Sequence, residues 1–287
     1  MPTFEDVESA DRRMERLRPT GRDIGLAHGQ SQAHQRYAEA MATPKLSLVI
    51  PAWNEATLLP RLLDSVQAAI QRWVLMGHDA TQIEIIVADN GSTDATARIA
   101  QEYGFRVVAV GKRVIAAARN GGAAAAQGEI LAFVDADSVL HPDSFIVVAE
   151  AMAMARTLGG ASGVTMDRWS LGIALTYALM LPMIWLTGFD TGLVFWRRAD
   201  FQALGGYDEQ RMVAEDVDFL WRLRQLGRSR GQRLVRLRRI KAITSTRKFD
   251  KHGDWHYVTH MPAQLWLLLR DRGALNDFAR RYWYDDR

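Results

Sequence analysis

From residue 46 onward the chain alternates short apolar runs with amphipathic or alanine-rich stretches of helical period, and few folds accept that rhythm. Residues 46–50, 83–88, 105–110 and 130–134 read as strands, and residues 58–76, 94–103 and 115–127 as the helices between them. This alternation predicts an α/β fold with a mostly parallel sheet and helices on both faces. Ligands in such sheets gather at the carboxyl ends of the strands, so the residues just after each strand are where chemistry is expected. Further along, the pattern predicts a helix at 144–158, a strand at 160–166, an uncharged segment at 169–189, a strand at 192–197 and a helix at 216–226. A basic block and a final Trp/Leu-rich helix near 262–270 follow. Residues 1–44 are polar without clear periodicity and read as a mobile or loosely helical extension. The domain is expected at 45–250, with 251–287 a helical tail packed on or near the site.

Composition narrows the chemistry. The chain of 287 residues has no cysteine, which excludes disulfides, thiolate metal sites and cysteine nucleophiles. None of its seven histidines forms an H-E-x-x-H zinc pattern, and Gly-x-Ser-x-Gly is absent. The first residues lack the apolar core of a secretory leader, so a cytoplasmic location is expected. The net charge of +3 hides an asymmetry: residues 222–251 hold twelve Lys/Arg against one acid, Asp250, leaving the remainder at −8. Such a block suits a solvated basic face, nucleic acid, anionic headgroups or a phosphate-rich ligand.

The strand ends carry the candidate residues. The first runs into Pro51-Ala-Trp-Asn-Glu55, with no glycine-rich dinucleotide turn, while Trp53 offers a flat face for a nucleobase or for packing. The second runs into Asp89-Asn-Gly-Ser-Thr-Asp94. Ser92 or Thr93 is expected to cap the next helix, and Asp94 to be structural in its first turn. Asp89 precedes the turn, where a carboxylate can accept from a base N–H. The fourth ends in Asp135-Ala-Asp137, and if extended it puts both carboxylates on one side. Two such acids call for a cation, and Mg2+ or Mn2+ completes its shell with water and phosphate oxygens; the alternative is a solvated acidic turn. Glu215, Asp216 and Asp218 open a predicted helix, where acids suit the dipole or one of them serves as a general base, Asp216 being favoured.

Taken in order, Val-Ile-Pro-Ala-Trp-Asn-Glu, Val-Ala-Asp-Asn-Gly-Ser-Thr-Asp, Ala-Arg-Asn-Gly-Gly-Ala, Phe-Val-Asp-Ala-Asp, Gly-Gly-Tyr-Asp-Glu and Glu-Asp-Val-Asp-Phe resemble the family 2 glycosyltransferases, which have the GT-A fold. The resemblance covers residues 46–228. The tail Ser245-Thr-Arg-Lys-Phe…Gly253-Asp-Trp255 is similar to a bacterial subgroup ending in Ser-x-Arg-Arg-Trp…Gly-x-Trp. The resemblance implies a nucleoside-diphosphate sugar as donor and a divalent metal, Mn2+ or Mg2+. It places Pro51, Trp53 and Glu55 in the nucleoside pocket and Asp89 on the base. Asp137, helped by Asp135, matches the metal ligand, and Asp216 the catalytic base of inverting members. Arg247 and Lys248 approach the diphosphate, and Arg119 with Asn120 matches a motif near the donor. Asp190, Glu215 and Asp218 fall on the acceptor side. The sequence departs from the family pattern at Trp53, at Asn90 in place of a second acid, and in lacking Q-x-x-R-W, which argues against a processive synthase.

Between Arg168 and Asp190 the chain has no charge. By length it is a bilayer-spanning candidate, but a single crossing would put Asp135 and Asp216 on opposite sides of the membrane. A buried helix interrupted at Pro182 is one reading; an interfacial or re-entrant helix beside a lipid-linked acceptor is the other. The second adds peripheral contact with the inner face of a membrane to the cytoplasmic expectation. Two rivals remain: a nucleic-acid or anionic-surface module built on residues 222–251, and a non-catalytic nucleotide-sugar binder. On the transferase reading no nucleic-acid partner is expected.

Overall fold

The computed structural model describes residues 44–187, 192–211 and 215–259. The expected N-terminal extension through residue 43, Asp190, and the helix near 262–270 with the rest of the tail from 260 lie outside the described residues.

The predicted alternation is present. β1 (Leu46–Ala52), α1 (Leu59–Leu75), β2 (Ile83–Asp89), α2 (Thr96–Glu102), β3 (Arg106–Ala109), α3 (Ile115–Ala125) and β4 (Ile130–Phe133) follow one another. Then come β5 (Ser138–Val139), α4 (Ser144–Ala153), β6 (Thr157–Met166), α5 (Leu171–Thr187), β7 (Val194–Arg197), α6 (Arg198–Ala203), α7 (Glu215–Arg230), β8 (Arg233–Thr244) and α8 (Arg247–His252). The sheet order is β3-β2-β1-β4-β7-β6-β8-β5. β3, β2, β1 and β4 pair in parallel, and β6 pairs in parallel with β8, while β7 and β5 run the other way. The expected mostly parallel sheet is what forms.

β1 is buried along its whole length because helices cover both faces. Leu46, Leu48 and Ile50 meet Leu59, Leu62, Leu63 and Val66 of α1 and Phe145 of α4 on one face. Val49, Ile86, Ala88, Leu131 and Phe133 meet the alanines of α3 and Phe219, Leu220 and Leu223 of α7 on the other. α3 approaches the sheet so closely that a Cβ on Gly122 would lie 2.3 Å from Val49 Cγ1. Phe133, Trp196, Phe201, Tyr207 and Phe219 stack into an aromatic knot under α7, with ring centroids 4.7–6.3 Å apart.

Four expectations need correction. The helix expected to 158 ends at Ala153, because residues from Thr157 join β6 and pair with β7 and β8. The basic block contributes a twelve-residue strand, β8, which the alternation did not announce. A register shift after Leu237 breaks its period, so pairing resumes at Lys241. The uncharged segment forms one helix, α5, running through Pro182. Its first half, residues 171–179, is only partly buried: Ile173 and Thr176 are covered, while Leu171, Leu175 and Leu179 are exposed. Among the described residues, no helix is long and apolar enough to cross a membrane. Finally, neither Ser92 nor Thr93 caps α2: the cap position is Ala95, and Asp94 just before it accepts through Oδ1 from the N–H and hydroxyl of Thr96 at 2.9 and 2.5 Å.

Candidate active site

The loops after β1 and β2 are stitched into one rim. Asn54, in the left-handed region at φ 52°, accepts from Thr93 N–H at 2.9 Å, and its own N–H donates to Ser92 Oγ at 2.9 Å. Glu55 N–H donates to Thr96 Oγ1 at 2.8 Å, and Ala56 N–H to Asp94 Oδ2 at 3.1 Å. Ala52 and Asp89 sit side by side in register. Asp89 is buried and accepts from Ser92 N–H at 3.3 Å. Pro51 is buried, Trp53 is half-buried, and the Arg113 guanidinium lies 5.9 Å from the Trp53 ring. Pro51, Trp53 and Asp89 therefore share one rim.

Asp135 and Asp137 follow β4 in a turn, closed by Ser138 N–H donating to Asp135 O at 3.1 Å. The strand pleat expected to put them on one side is absent there; the turn brings them into electrostatic contact instead. Burial pushes the Asp137 carboxyl up to about 6, with Asp135 and Glu55 adding to the rise and Arg247 and Lys248 opposing it. Asp137 thus holds negative charge that its neighbours do not fully compensate.

Arg119, on α3, joins this turn to the start of α7. It donates to Asp135 Oδ1 at 3.0 Å and to Glu215 Oε1 at 2.8 Å, and it lies 5.4 Å from the Tyr207 ring centroid. Burial opposes its charge, but Asp135, Tyr207, Glu215 and Asp216 outweigh that and hold its pKa above the ordinary value. Burial also raises the Glu215 carboxyl, against the pull of Arg119. The neighbouring Asn120 clamps the 205–209 loop: it donates to Tyr207 O at 2.9 Å and Glu209 Oε1 at 3.0 Å, and accepts from Tyr207 N–H at 2.9 Å. Gly206 has φ 71°, and a Cβ there would meet Asn120 Oδ1 at 2.6 Å, so glycine is required on both counts.

The three acids opening α7 have different surroundings. Glu215 is buried against Arg119. Asp218 pairs with Arg222 at 2.9 Å and Arg211 at 3.3 Å. Among the described residues Asp216 joins no ion pair; its Oδ1 accepts from Val217 N–H at 2.8 Å.

The last arm arrives from β8. β5 pairs with the end of β8, and Ser245 N–H donates to Asp137 O at 3.2 Å. α8 then presents Arg247, which grips Glu55 through two hydrogen bonds of 2.5 and 2.6 Å and reaches Asp137 Oδ2 at 3.3 Å. Glu55 is buried, and this guanidinium pairs with it. Lys248 is close enough to lower the Asp137 pKa.

Strand-end reasoning found the acids but missed the hub. The Arg-Asn string gave no sign that Arg119 would bridge two acidic motifs or that Asn120 would hold Tyr207. The signal was present only as order: the Arg-Asn, Asp-x-Asp, Gly-Gly-Tyr-Asp-Glu and Glu-Asp strings meet in space at these two residues. Among the described residues, no three His, Cys, Asp or Glu side chains cluster as a metal-ligand set. The protein's own offer to a cation is two carboxylates, a hard-oxygen pair that suits Mg2+ or Mn2+ sharing its shell with phosphate and water.

Residues 47–169 match the family described as glycosyl transferase family 2. Over 106 residues the chain is 39% identical to the validoxylamine A glucosyltransferase of Streptomyces hygroscopicus subsp. jinggangensis (strain 5008), covering 34% of this chain and 23% of that protein. It is 32% identical over 120 residues to the dolichyl-phosphate beta-glucosyltransferase of Mus musculus, covering 39% of this chain and 36% of that protein. The chain thus spans well under half the length of these relatives. A solved structure of mannosyltransferase PcManGT from Pyrobaculum calidifontis, in complex with GDP-Man and Mn2+, has a TM-score of 0.53 at 19% identity, covering 70% of this chain and 56% of that one. At that identity the likeness is one of fold, and the fold is the expected GT-A architecture.

Proposed function

We propose, from the match of residues 47–169 to glycosyl transferase family 2, that the protein transfers a sugar from a nucleoside-diphosphate sugar to an acceptor hydroxyl with inversion. The observation that carries the reading is the double ion pair of Arg119, which brings the acids after β4 and the acids opening α7 into one site. A donor-binding turn and a proton acceptor need that proximity.

Asp137, with Asp135, would hold the divalent metal, which when bound supplies charge neutralisation at the leaving diphosphate. Arg247 and Lys248 add fixed positive charge on the same side, with Arg247 aimed by Glu55. The rim formed by Pro51, Trp53 and Asp89 would take the nucleoside. Asp216 is the proposed base. Its neighbours Glu215 and Asp218 are engaged with arginines, whereas Asp216 is free to take the acceptor proton. One base without an enzyme nucleophile gives inversion. The neighbouring positions Glu215 and Asp218 then shape the acceptor side through α7.

Three cations of the basic block serve the fold itself, while Arg233, Arg236, Arg238, Arg239 and Lys241 are exposed on β8. Arg222 binds the carbonyls of Leu204 and Gly206 as well as Asp218, Arg230 pairs with Asp200, and Arg247 turns to Glu55. A panel of nucleotide sugars screened by thermal shift, with and without Mn2+, tests the reading. One donor class is expected to raise Tm in a Mn2+-dependent way; no shift with any member would overturn it.

We also propose a lipid-linked acceptor. The support is the apolar face of α5, where Leu171, Leu175 and Leu179 recur every four residues beside half-exposed Trp169. A dolichyl-phosphate beta-glucosyltransferase among the relatives is in keeping with it. The full chain is expected to float with anionic liposomes at low salt, and Leu171→Glu/Leu175→Glu to stay at the bottom of the gradient. Wild-type protein that ignores the vesicles would sink this part.

A further inference from the structure

β6 ends at Met166, and the next two residues take hold of opposite ends of α8. Asp167 Oδ1 accepts from the N–H and the hydroxyl of Thr246, just before the helix, at 3.1 and 2.7 Å. Arg168 donates through Nε and Nη2 to Asp250 Oδ1 at 2.8 and 2.5 Å. It also donates to both oxygens of Asp254, just past the helix, at 3.2 and 2.7 Å. The signs suit the helix, with the acid at its N-terminal end and the cation at its C-terminal end. α8 has six residues, too few to hold a helical turn in place without outside support. The first turn of α5 closes the same corner, since a Cβ on Gly172 would lie 2.6 Å from Asp254 O.

We propose that Asp167 and Arg168 are positioning residues that fix α8, so that Arg247 and Lys248 meet the donor diphosphate beside Asp137. What α8 is positioned to do rests on the transfer reading; that the pair fixes α8 does not. The assignment also gives the Gly253-Asp-Trp255 part of the tail string a physical role. Gly253 turns the chain at φ 89°, and Asp254 receives Arg168.

The test uses the full chain with Arg168→Gln, Arg168→Lys and Asp167→Asn. The Arg168 side chain is 39% exposed, so its replacement does not open a core. Hydrogen exchange is expected to quicken over residues 246–256 in Arg168→Gln, to leave β1 and α1 unchanged, and to recover in part in Arg168→Lys. Inorganic pyrophosphate titrated calorimetrically in Mn2+ is expected to bind about tenfold more weakly to Arg168→Gln and Asp167→Asn, the equivalent of one lost charge-assisted hydrogen bond. Binding of Mn2+ alone should be no weaker, which separates misplacement of α8 from general damage to the site. Wild-type exchange over 246–256 in Arg168→Gln would overturn the clamp. Altered exchange with unchanged pyrophosphate affinity would overturn its role in placing Arg247. If the wild-type chain takes up no pyrophosphate, the transfer reading falls, and the exchange result still decides the clamp.

Discussion

Replacing Asp216 with Asn is expected to leave the fold and donor binding intact while lowering turnover roughly 10²–10⁴-fold, the range that loss of a general base produces. The substitution keeps the side chain's shape and an oxygen that can accept from Val217 N–H. Among the described residues it breaks no ion pair, so the stability cost is that of one less acid at a helix N-terminus, about 0.3–1 kcal/mol. Single-turnover rates with the donor identified in the nucleotide-sugar panel, beside thermal melts, separate the two effects. Turnover near the wild-type value would remove Asp216 from the mechanism and send the search to Glu215, whose carboxyl is raised by burial.

Asp137→Asn is expected to do the reverse of a typical site mutation: the protein becomes more stable and loses its metal-dependent donor binding. The Asp137 carboxyl is raised from an ordinary 3.8 to about 6, so keeping it ionised in the folded chain at pH 7 costs stability, about 3 kcal/mol at most. The side chain is partly open and paired with Arg247, so a gain of about 1–2 kcal/mol is the expected reading. The sign gives the pH window. Between pH 6 and about 4 the folded wild type binds the extra proton, so its stability relative to the variant recovers as pH falls. The difference in Tm should therefore be full at pH 7 and gone near pH 4. Protons and metal compete for the same carboxylate, so Mn2+-dependent donor affinity in the wild type should weaken below pH 6. Melts of both proteins across this range check the first statement, and calorimetry with the panel donor checks the second. A variant less stable at pH 7, with the same pH slope as wild type, would show that Asp137 is not strained.

The parts of the fold that were legible are those where local pattern and tertiary environment agree. Val49, Val87 and Leu131 sit in unbroken apolar runs, and α1 has a clear apolar stripe, so strand and helix were written in composition and period alike. β8 was hidden because Arg233, Arg236, Arg238, Arg239 and Lys241 face outward on a strand whose register slips midway. Thr157 and Leu158 looked helical because nothing nearby in sequence announces their partners, Arg233 and the strands beyond. In the site, the acids were readable because carboxylates at strand ends have few purposes. The pairings were not. Whether Arg119 reaches for a ligand or for Asp135 and Glu215 depends on which residues 16 and 96 positions away fold against it.

The contact between Arg247 and Glu55 closes a separation of 192 residues. It has a consequence for the order of events during synthesis. The four parallel strands and the acids after β4 are all encoded before residue 140, and they can assemble while the rest of the chain is still being made. Arg247 cannot arrive until β6 has emerged, β8 has paired beside it and α8 has followed. A nascent or prematurely terminated chain would therefore display Asp135 and Asp137 beside Arg119 but without Arg247 and Lys248, and on the proposed transfer reading it would remain silent until nearly the whole domain had left the ribosome.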